Sequence, residues 1–292
     1  MASHLSEETI TSRENKWLKI FRAALRGTGP AAGEPIGVEG PKLVEDALRS
    51  GLEAEALLVS EAGEASELER ILRAAGESVA GIPRSRVLRT TDKLFASVAG
   101  TETPQGVAAL FVQRAWSFDD VVRGLASVDA ALVVVMAGVQ DPGNVGTIVR
   151  SAEAFGATGV VTTRGSADPW SPKALRASAG SGLRVPVLRG MAIPVLLAQL
   201  RVAGVKIVAA SSHAAAADAG GADDAVADLR VAVAIFIGNE GAGLPREIEN
   251  VADARISIPM SAGVESLNAG VAASVVLYEA ARQRKSFTTD EH

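Results

Sequence analysis

Cysteine is missing from the 292-residue chain, which removes disulfides, thiolate nucleophiles and cysteine-ligated metals from its chemistry. Histidine occurs only as His4, His213 and His292, too scattered to suggest a metal site, so no metal is expected. Long apolar runs are also missing. The stretch from Ala130 to Val139 is about half of the ~20 residues that span a bilayer, so no membrane is expected. The opening MASHLSEETITSREN is polar and acidic where a signal peptide needs basic residues and then an apolar run, so the expected location is the cytoplasm. Basic residues do not predominate either: 29 Lys and Arg face 34 Asp and Glu, for a net charge of -5. That balance excludes a surface wholly given to polyanions while leaving room for a local basic patch.

What is present is enough apolar material, 48% of the chain, for at least one sizeable core, and the length suggests two domains. Residues 1–114 read as a small α/β unit. Thr11 and Glu14 have capping-box spacing, and Trp17, Leu18, Phe21, Ala24 and Leu25 then recur at helical spacing. Around them stand Arg13, Lys16, Lys19, Arg22 and Arg26, which suit either phosphate contacts or a solvated helix face. A loop over 27–37 leads to a short strand, then a helix over 42–52 and a strand over 56–59. Strands are expected at 78–82 and 106–112, helices at 67–75 and 93–98. A connecting helix over 116–125 opens the second domain, 115–292. There apolar runs at 132–137, 159–162, 205–210 and 231–237 alternate with helical segments, which implies a mostly parallel sheet covered by helices on both faces. The Ala-Asp-Gly stretch over 214–227 reads as a low-complexity surface segment.

Three segments of the second domain bear polar groups where strands end. Asp141-Pro142-Gly143-Asn144-Val145-Gly146-Thr147-Ile148-Val149-Arg150 reads as a glycine-rich turn before a helical Ser151 to Phe155, and is either a tight turn with a cap or an anion site. Gly238-Asn239-Glu240-Gly241-Ala242-Gly243-Leu244-Pro245 follows a buried strand, its glycines suggesting close approach by a ligand. It is not a dinucleotide-binding GxGxxG, because it lies late in the chain and Pro245 follows at once. Ile256-Ser257-Ile258-Pro259-Met260 and Glu265-Ser266-Leu267-Asn268 precede a small-residue helix over 269–281, where Ser266 and Asn268 would ordinarily be caps.

Together these segments resemble the three signature motifs of the SpoU/TrmH RNA methyltransferases of the SPOUT superfamily. Ser171-Pro172-Lys173 with Arg176-Ala177-Ser178-Ala179-Gly180 is similar to a further element of that family. Ile10 to Asn15, Val38-Glu39-Gly40 and Thr103 to Val107 resemble its accessory N-terminal substrate-binding domain. The resemblance implies a C-terminal domain with a deep trefoil knot and a smaller N-terminal α/β domain. It implies S-adenosyl-L-methionine held by Gly238, Ile258 and Leu267, with Leu244 and Met260 lining the pocket, and methylation of an RNA ribose 2′-hydroxyl. Arg150 would stand nearest the departing proton; a guanidinium is a poor base, so a positioning role is expected. Asn144, Glu240, Ser266 and Asn268 would organise the site. Homodimers are implied too. The accessory domain favours ribosomal RNA, 23S above all, over tRNA, with Arg13, Lys16, Arg22, Lys173, Arg176 and Arg184 as candidate phosphate contacts. The competing readings are a non-catalytic RNA-binding assembly factor and, less favoured by the motifs, a nucleotide-dependent oxidoreductase.

Overall fold

A computed structural model describes residues 6–63, 67, 70–71, 86–124, 130–211, 227–261 and 266–288. In chain order the helices among them are α1 (Lys16–Arg26), α2 (Pro41–Arg49), α3 (Asp92–Ala96), α4 (Phe118–Arg123), α5 (Pro142–Ala154), α6 (Pro172–Ala177), α7 (Ile193–Val202), α8 (Arg246–Glu249) and α9 (Ala269–Thr288). None is long and apolar enough to cross a membrane. The chain divides into two compact units, Met1–Ala115 with Trp170–Arg184, and Trp116–Pro169 with Val185–His292.

The first unit is built on β1 (Ser6–Ile10), β2 (Ile36–Glu39), β3 (Ala54–Ser60), β4 (Arg86–Thr90) and β5 (Val107–Phe111), in the order β1-β4-β3-β5-β2. β1, β4 and β3 run parallel, while β5 is antiparallel to β3 and β2. α1 buries Leu18, Phe21 and Leu25 against Leu58, Leu88 and Phe95, the face its spacing predicts. Its start differs from the expected capping box. The Asn15 side chain accepts from the Trp17 N–H at 2.8 Å, while Glu14 turns to Lys19 at 2.9 Å instead of reaching back. Asparagine is a strong N-cap, and an available salt-bridge partner removes the acid the box needs. At Gly37 a Cβ would sit 2.7 Å from the main chain of Ala24, so α1 crosses β2 too closely for any other residue. β1 and β4 escape sequence detection because charged residues interrupt them (SEETI and RVLRT). The strand expected at 78–82 and most of the helix at 67–75 lie outside the described residues.

The segment Trp170–Arg184 is woven into this first unit. Trp170 donates its indole N–H to Gly182 O at 2.8 Å, Ser171 caps α6, and Gly180, at φ +81°, lets the chain turn against Leu43 of α2.

The second unit holds a wholly parallel sheet of β6 (Leu132–Ala137), β7 (Gly159–Thr163), β8 (Val187–Met191), β9 (Lys206–Ser211), β10 (Val233–Gly238) and β11 (Ala254–Ser257), in the order β11-β9-β10-β6-β7-β8. Val133, Val135, Val161, Ala234 and Phe236 face α4, α7 and α8 through Val121, Leu196, Leu200 and Ile248. The alternate residues face the other way, towards α5 and α9, so both faces are covered and the strands read as unbroken apolar runs. Because the strands are parallel, the chain leaves β6, β10 and β11 at one edge, where open α/β sheets place their crevices.

Near its C-terminal end α9 is pinned by Arg284. The guanidinium donates to the carbonyls of Ala130, Ala131, Leu229 and Val231 at 2.7–2.9 Å, and burial pushes its pKa below the usual value. Arg284→Met is expected to strand those carbonyls and lower unfolding free energy by about 2 kcal/mol or more, read by urea denaturation. One turn earlier, hydrogen bonds from Arg282 and then Gln283 hold Glu279 down to about 2 from 4.5. A depressed carboxylate stabilises the fold above its unfolded pKa and loses that contribution as pH falls. Glu279→Gln should therefore flatten the acid limb of the pH–stability curve between 4.5 and about 2, a change visible in acid titrations of the folded signal.

Candidate functional site

The first polar segment is helical from Pro142, not a turn ahead of a helix at Ser151. Asp141 accepts from Asn144 N at 2.9 Å and proline occupies the first helical position, so the glycines fall inside the helix. Asn144 therefore stands in the first turn of α5. Arg150 lies further along the same helix, exposed, with no side-chain hydrogen bond among the described residues.

The second segment folds into a closed loop. Asn239 and Gly243 exchange main-chain hydrogen bonds at 3.0 Å, and the Asn239 side chain accepts from Gly241 N and Ala242 N while donating to Gly138 O at 2.9 Å. A Cβ on Gly238 would meet the main chain of Gly243 and Leu244 at 2.5–2.7 Å, and Gly243 has φ +70°. The loop thus returns closely across the end of β10, and Gly238, Gly241 and Gly243 also line the cavity described below. Asn239, absent from the residues singled out by sequence, organises that return; its position inside the quoted glycine-rich segment is the signal that could have found it.

The third segment closes the arrangement. Asn268 uses both ends of its amide: Oδ1 accepts from Gly270 N and Val271 N, capping α9, while Nδ2 donates to Asn144 Oδ1 at 2.9 Å. Asn144 in turn donates to Glu240 Oε1 at 2.6 Å. The chain Asn268–Asn144–Glu240 thus ties together all three segments. Helix packing enforces it: Gly270 lies against Thr147, Ser151 and Ser274 share a 2.7 Å hydrogen bond, and Phe155 meets Tyr278 edge-on at 6.0 Å. Ser266 stands just before Asn268, exposed, and leaves the capping to it.

Beside this chain is a cavity of about 490 Å³, within the ~300–1,000 Å³ of small-molecule sites. Its lining includes Gly238, Leu244, Ile258, Met260 and Leu267, together with Glu240 and Ser266. Asn144, Arg150 and Asn268 are outside the lining. Glu249, from α8, contributes a second carboxylate that no local sequence pattern marks.

The basic residues of the first unit separate into groups. Lys16 lies over the Trp17 ring at 5.8 Å, and Arg13 is exposed ahead of α1. Arg22 reaches Ser97 O at 3.4 Å, and Lys173 and Arg176 are exposed on α6. Arg184 turns to Ser181 Oγ at 3.4 Å.

Comparison with known proteins gives a consistent picture. Residues 131–278 match the SpoU rRNA Methylase family, and residues 35–109 match the MRM3-like substrate binding domain. A protein of Mycobacterium ulcerans named as an uncharacterized tRNA/rRNA methyltransferase is 36% identical over 274 residues, covering 91% of this chain and 84% of that protein. Among solved structures, an AdoMet-bound rRNA methyltransferase from Sinorhizobium meliloti is 29% identical with a TM-score of 0.76, covering 94% of this chain and 98% of its own. The SpoU methyltransferase AviRb from Streptomyces viridochromogenes, in complex with AdoMet, is 28% identical with a TM-score of 0.77, covering 94% and 99%. A protein described as an RNA 2′-O ribose methyltransferase is 29% identical with a TM-score of 0.70, covering 95% and 100%.

The Asn144–Glu240 contact has a direct test. Asn144→Asp sets two carboxylates against each other, so the variant should melt below the parent near pH 7, and adding Glu240→Gln should recover part of the deficit. Melting curves of the parent, the single variants and the double variant check it.

Proposed function

The chain belongs to the SpoU rRNA methylase family, and on that premise we propose that it transfers a methyl group from S-adenosyl-L-methionine to a ribose 2′-hydroxyl of ribosomal RNA. The observation that carries the reading is the hydrogen-bonded chain Asn268–Asn144–Glu240 beside the 490 Å³ cavity. The cavity fits the cofactor in kind: Leu244, Ile258 and Met260 offer apolar walls for a base, and the Glu240 and Glu249 carboxylates suit hydroxyl and ammonium donors. Main-chain groups at Gly238, Ile258 and Leu267 would hold it. When bound, it supplies a methyl group already activated by a cationic sulfur, so alignment of the acceptor is what remains for the protein.

Asn144 and Asn268 would orient the ribose, with Ser266 beside them. Arg150, exposed on α5, would hold the hydroxyl or an adjacent phosphate as the proton departs. The ribose 2′-hydroxyl as acceptor is supported by the likeness to the 2′-O ribose methyltransferase over nearly the whole chain. Ribosomal RNA is favoured by the rRNA methyltransferase of S. meliloti, whose likeness covers both units. The sheet order, with β11 beside β9 and α9 laid along α5, fits a trefoil-knotted crossing. A homodimer is supported by Val271, Val275 and Tyr278, 48%, 42% and 57% exposed, which form an exposed apolar stripe on α9 even though the Tyr278 ring also meets Phe155. Such an enzyme would work in the cytoplasm.

The test is incubation of the protein with methyl-labelled S-adenosylmethionine and, separately, total ribosomal RNA and total tRNA, followed by digestion to nucleosides. Label is expected in ribosomal RNA as a 2′-O-methyl nucleoside, reduced about 10²-fold or more in Arg150→Ala. Label confined to tRNA would move the substrate assignment. Cofactor binding without labelling of either RNA would favour a non-catalytic assembly factor, and a protein that does not bind the cofactor would sink the proposal.

A further inference from the structure

Gly138, Val139 and Gln140 join the end of β6 to Asp141, the cap of α5, so their course sets where Asn144 stands. Gly138 has φ +77°, and its peptide groups are held on both sides. Its N–H donates to the Ser166 hydroxyl at 3.0 Å, and its carbonyl accepts from Asn239 Nδ2 at 2.9 Å. The Ser166 hydroxyl in turn donates to Met136 O at 2.9 Å, and Ala167 donates its N–H to Val139 O at the same distance. The connection is thus bonded by residues of two other loops while the Val139 side chain is buried beneath it. Ser166 is itself firmly placed. It lies in the turn that follows β7, where its N–H donates to Thr163 O at 3.2 Å and Gly165 takes φ +86°. Beyond the turn, Asp168 accepts from Arg189 of β8 at 2.5 Å, in an ion pair whose side chains are 24% and 21% exposed.

We infer that Ser166 is a positioning residue for Asn144, acting through the Gly138 peptide. A glycine at positive φ has no side chain to fix its rotation, so the peptide plane at Gly138 is set by the groups that bond it. Without the Ser166 hydroxyl the Gly138 N–H loses its partner, and the connection can turn to seek another. Any such turn moves the Asp141 cap and with it Asn144, whose N–H that cap accepts at 2.9 Å. Asn144 tolerates little movement, because its links to Glu240 and Asn268 are 2.6 and 2.9 Å long. A hydroxyl suits the post because it accepts and donates at one atom; alanine can do neither, and threonine keeps both. Ser166 is outside the cavity lining, so its effect falls on the side chain that would orient the acceptor and not on the cofactor pocket. The inference rests on the methyl-transfer reading for the reaction that Asn144 serves.

The test compares the parent with Ser166→Ala, Ser166→Thr and the control Thr162→Val, which removes a β7 hydroxyl that accepts from Gly190 N of β8 at 3.1 Å. Backbone hydrogen exchange over residues 138–145, read by mass spectrometry, reports on the connection and the first turn of α5. Ser166→Ala should speed it about tenfold and Ser166→Thr should restore it, with exchange over 269–277 as in the parent throughout. Methyl transfer to total ribosomal RNA at saturating S-adenosylmethionine should fall about tenfold in Ser166→Ala, while cofactor affinity by calorimetry stays within about twofold of the parent. On an Asn144→Ala background the same substitution should cost less than about twofold, because its effect passes through that side chain. Thr162→Val should match the parent in exchange over 138–145 and in transfer. Unchanged exchange in Ser166→Ala overturns the inference and leaves the methyltransferase reading standing. A loss of transfer repeated in full on the Asn144→Ala background, or an equal loss in Thr162→Val, overturns it as well. A parent that transfers no methyl group overturns the methyltransferase reading instead, and exchange over 138–145 then decides by itself whether Ser166 places Asn144.

Discussion

Where α9 passes α5, a Cβ on Gly270 would lie 3.0 Å from the Thr147 methyl, and the candidate site depends on that closeness. The helices could not approach so nearly with larger residues at 270 and 274, and only at this distance can Ser151 and Ser274 share a proton and Asn268 reach Asn144. Asn144 is then held between an amide donor and the Glu240 carboxylate, so its rotamer is set by groups arriving from two other parts of the chain. The parallel sheet beneath supplies the common edge; the helix pair supplies the registration. An error of an ångström in the packing would break a hydrogen-bonded chain whose links are 2.6 and 2.9 Å.

Much of this was legible in the sequence. The apolar runs of the second unit became β6, β7, β9 and β10 with small shifts at their ends, because strands buried on both faces are marked by composition alone. β1 and β4 were not legible, since their charged residues imitate loop sequence and only the neighbouring strands make them strands. The start of α5 is obscured for a related reason: Gly143 and Gly146 suggest a turn, yet the Asp141 cap and Pro142 set the helix start, and burial of Val145, Ile148 and Val149 offsets the glycine penalty of ~1 kcal/mol each. At the site, the residue types and their clustering could be read from motifs, but not which groups would touch. Asn144 and Asn268 are 124 residues apart, and no local periodicity encodes their contact. Glu249 reaches the cavity because a short helix turns back after Pro245, a purely tertiary outcome.

The charge distribution divides along similar lines. The cavity of the second unit is edged by the carboxylates Glu240 and Glu249, whereas the first unit gathers Arg22, Arg26, Lys173 and Arg176 on neighbouring elements. An overall acidic chain can thus gather carboxylates at one site and cations at another. Net charge reports neither, because the relevant fields are set over a few ångströms and screened beyond about 10 Å.

The membership of Trp170–Arg184 in the first unit bears on how the molecule is made. A ribosome releases the chain from its N-terminus, so the sheet of the first unit emerges long before the piece that Trp170 and Gly180 pack into it. Until that piece arrives, Leu43 lacks the Gly180 backbone that covers it, and the unit must wait, incompletely closed, while β6, α5 and β7 are synthesised. Those elements in turn await β9 and β10 before their sheet can fill. The first unit can therefore close only after part of the second has been made, and the second only after β9, β10 and α9 have followed, so a nascent chain stalled before Arg184 would leave both exposed to chaperones.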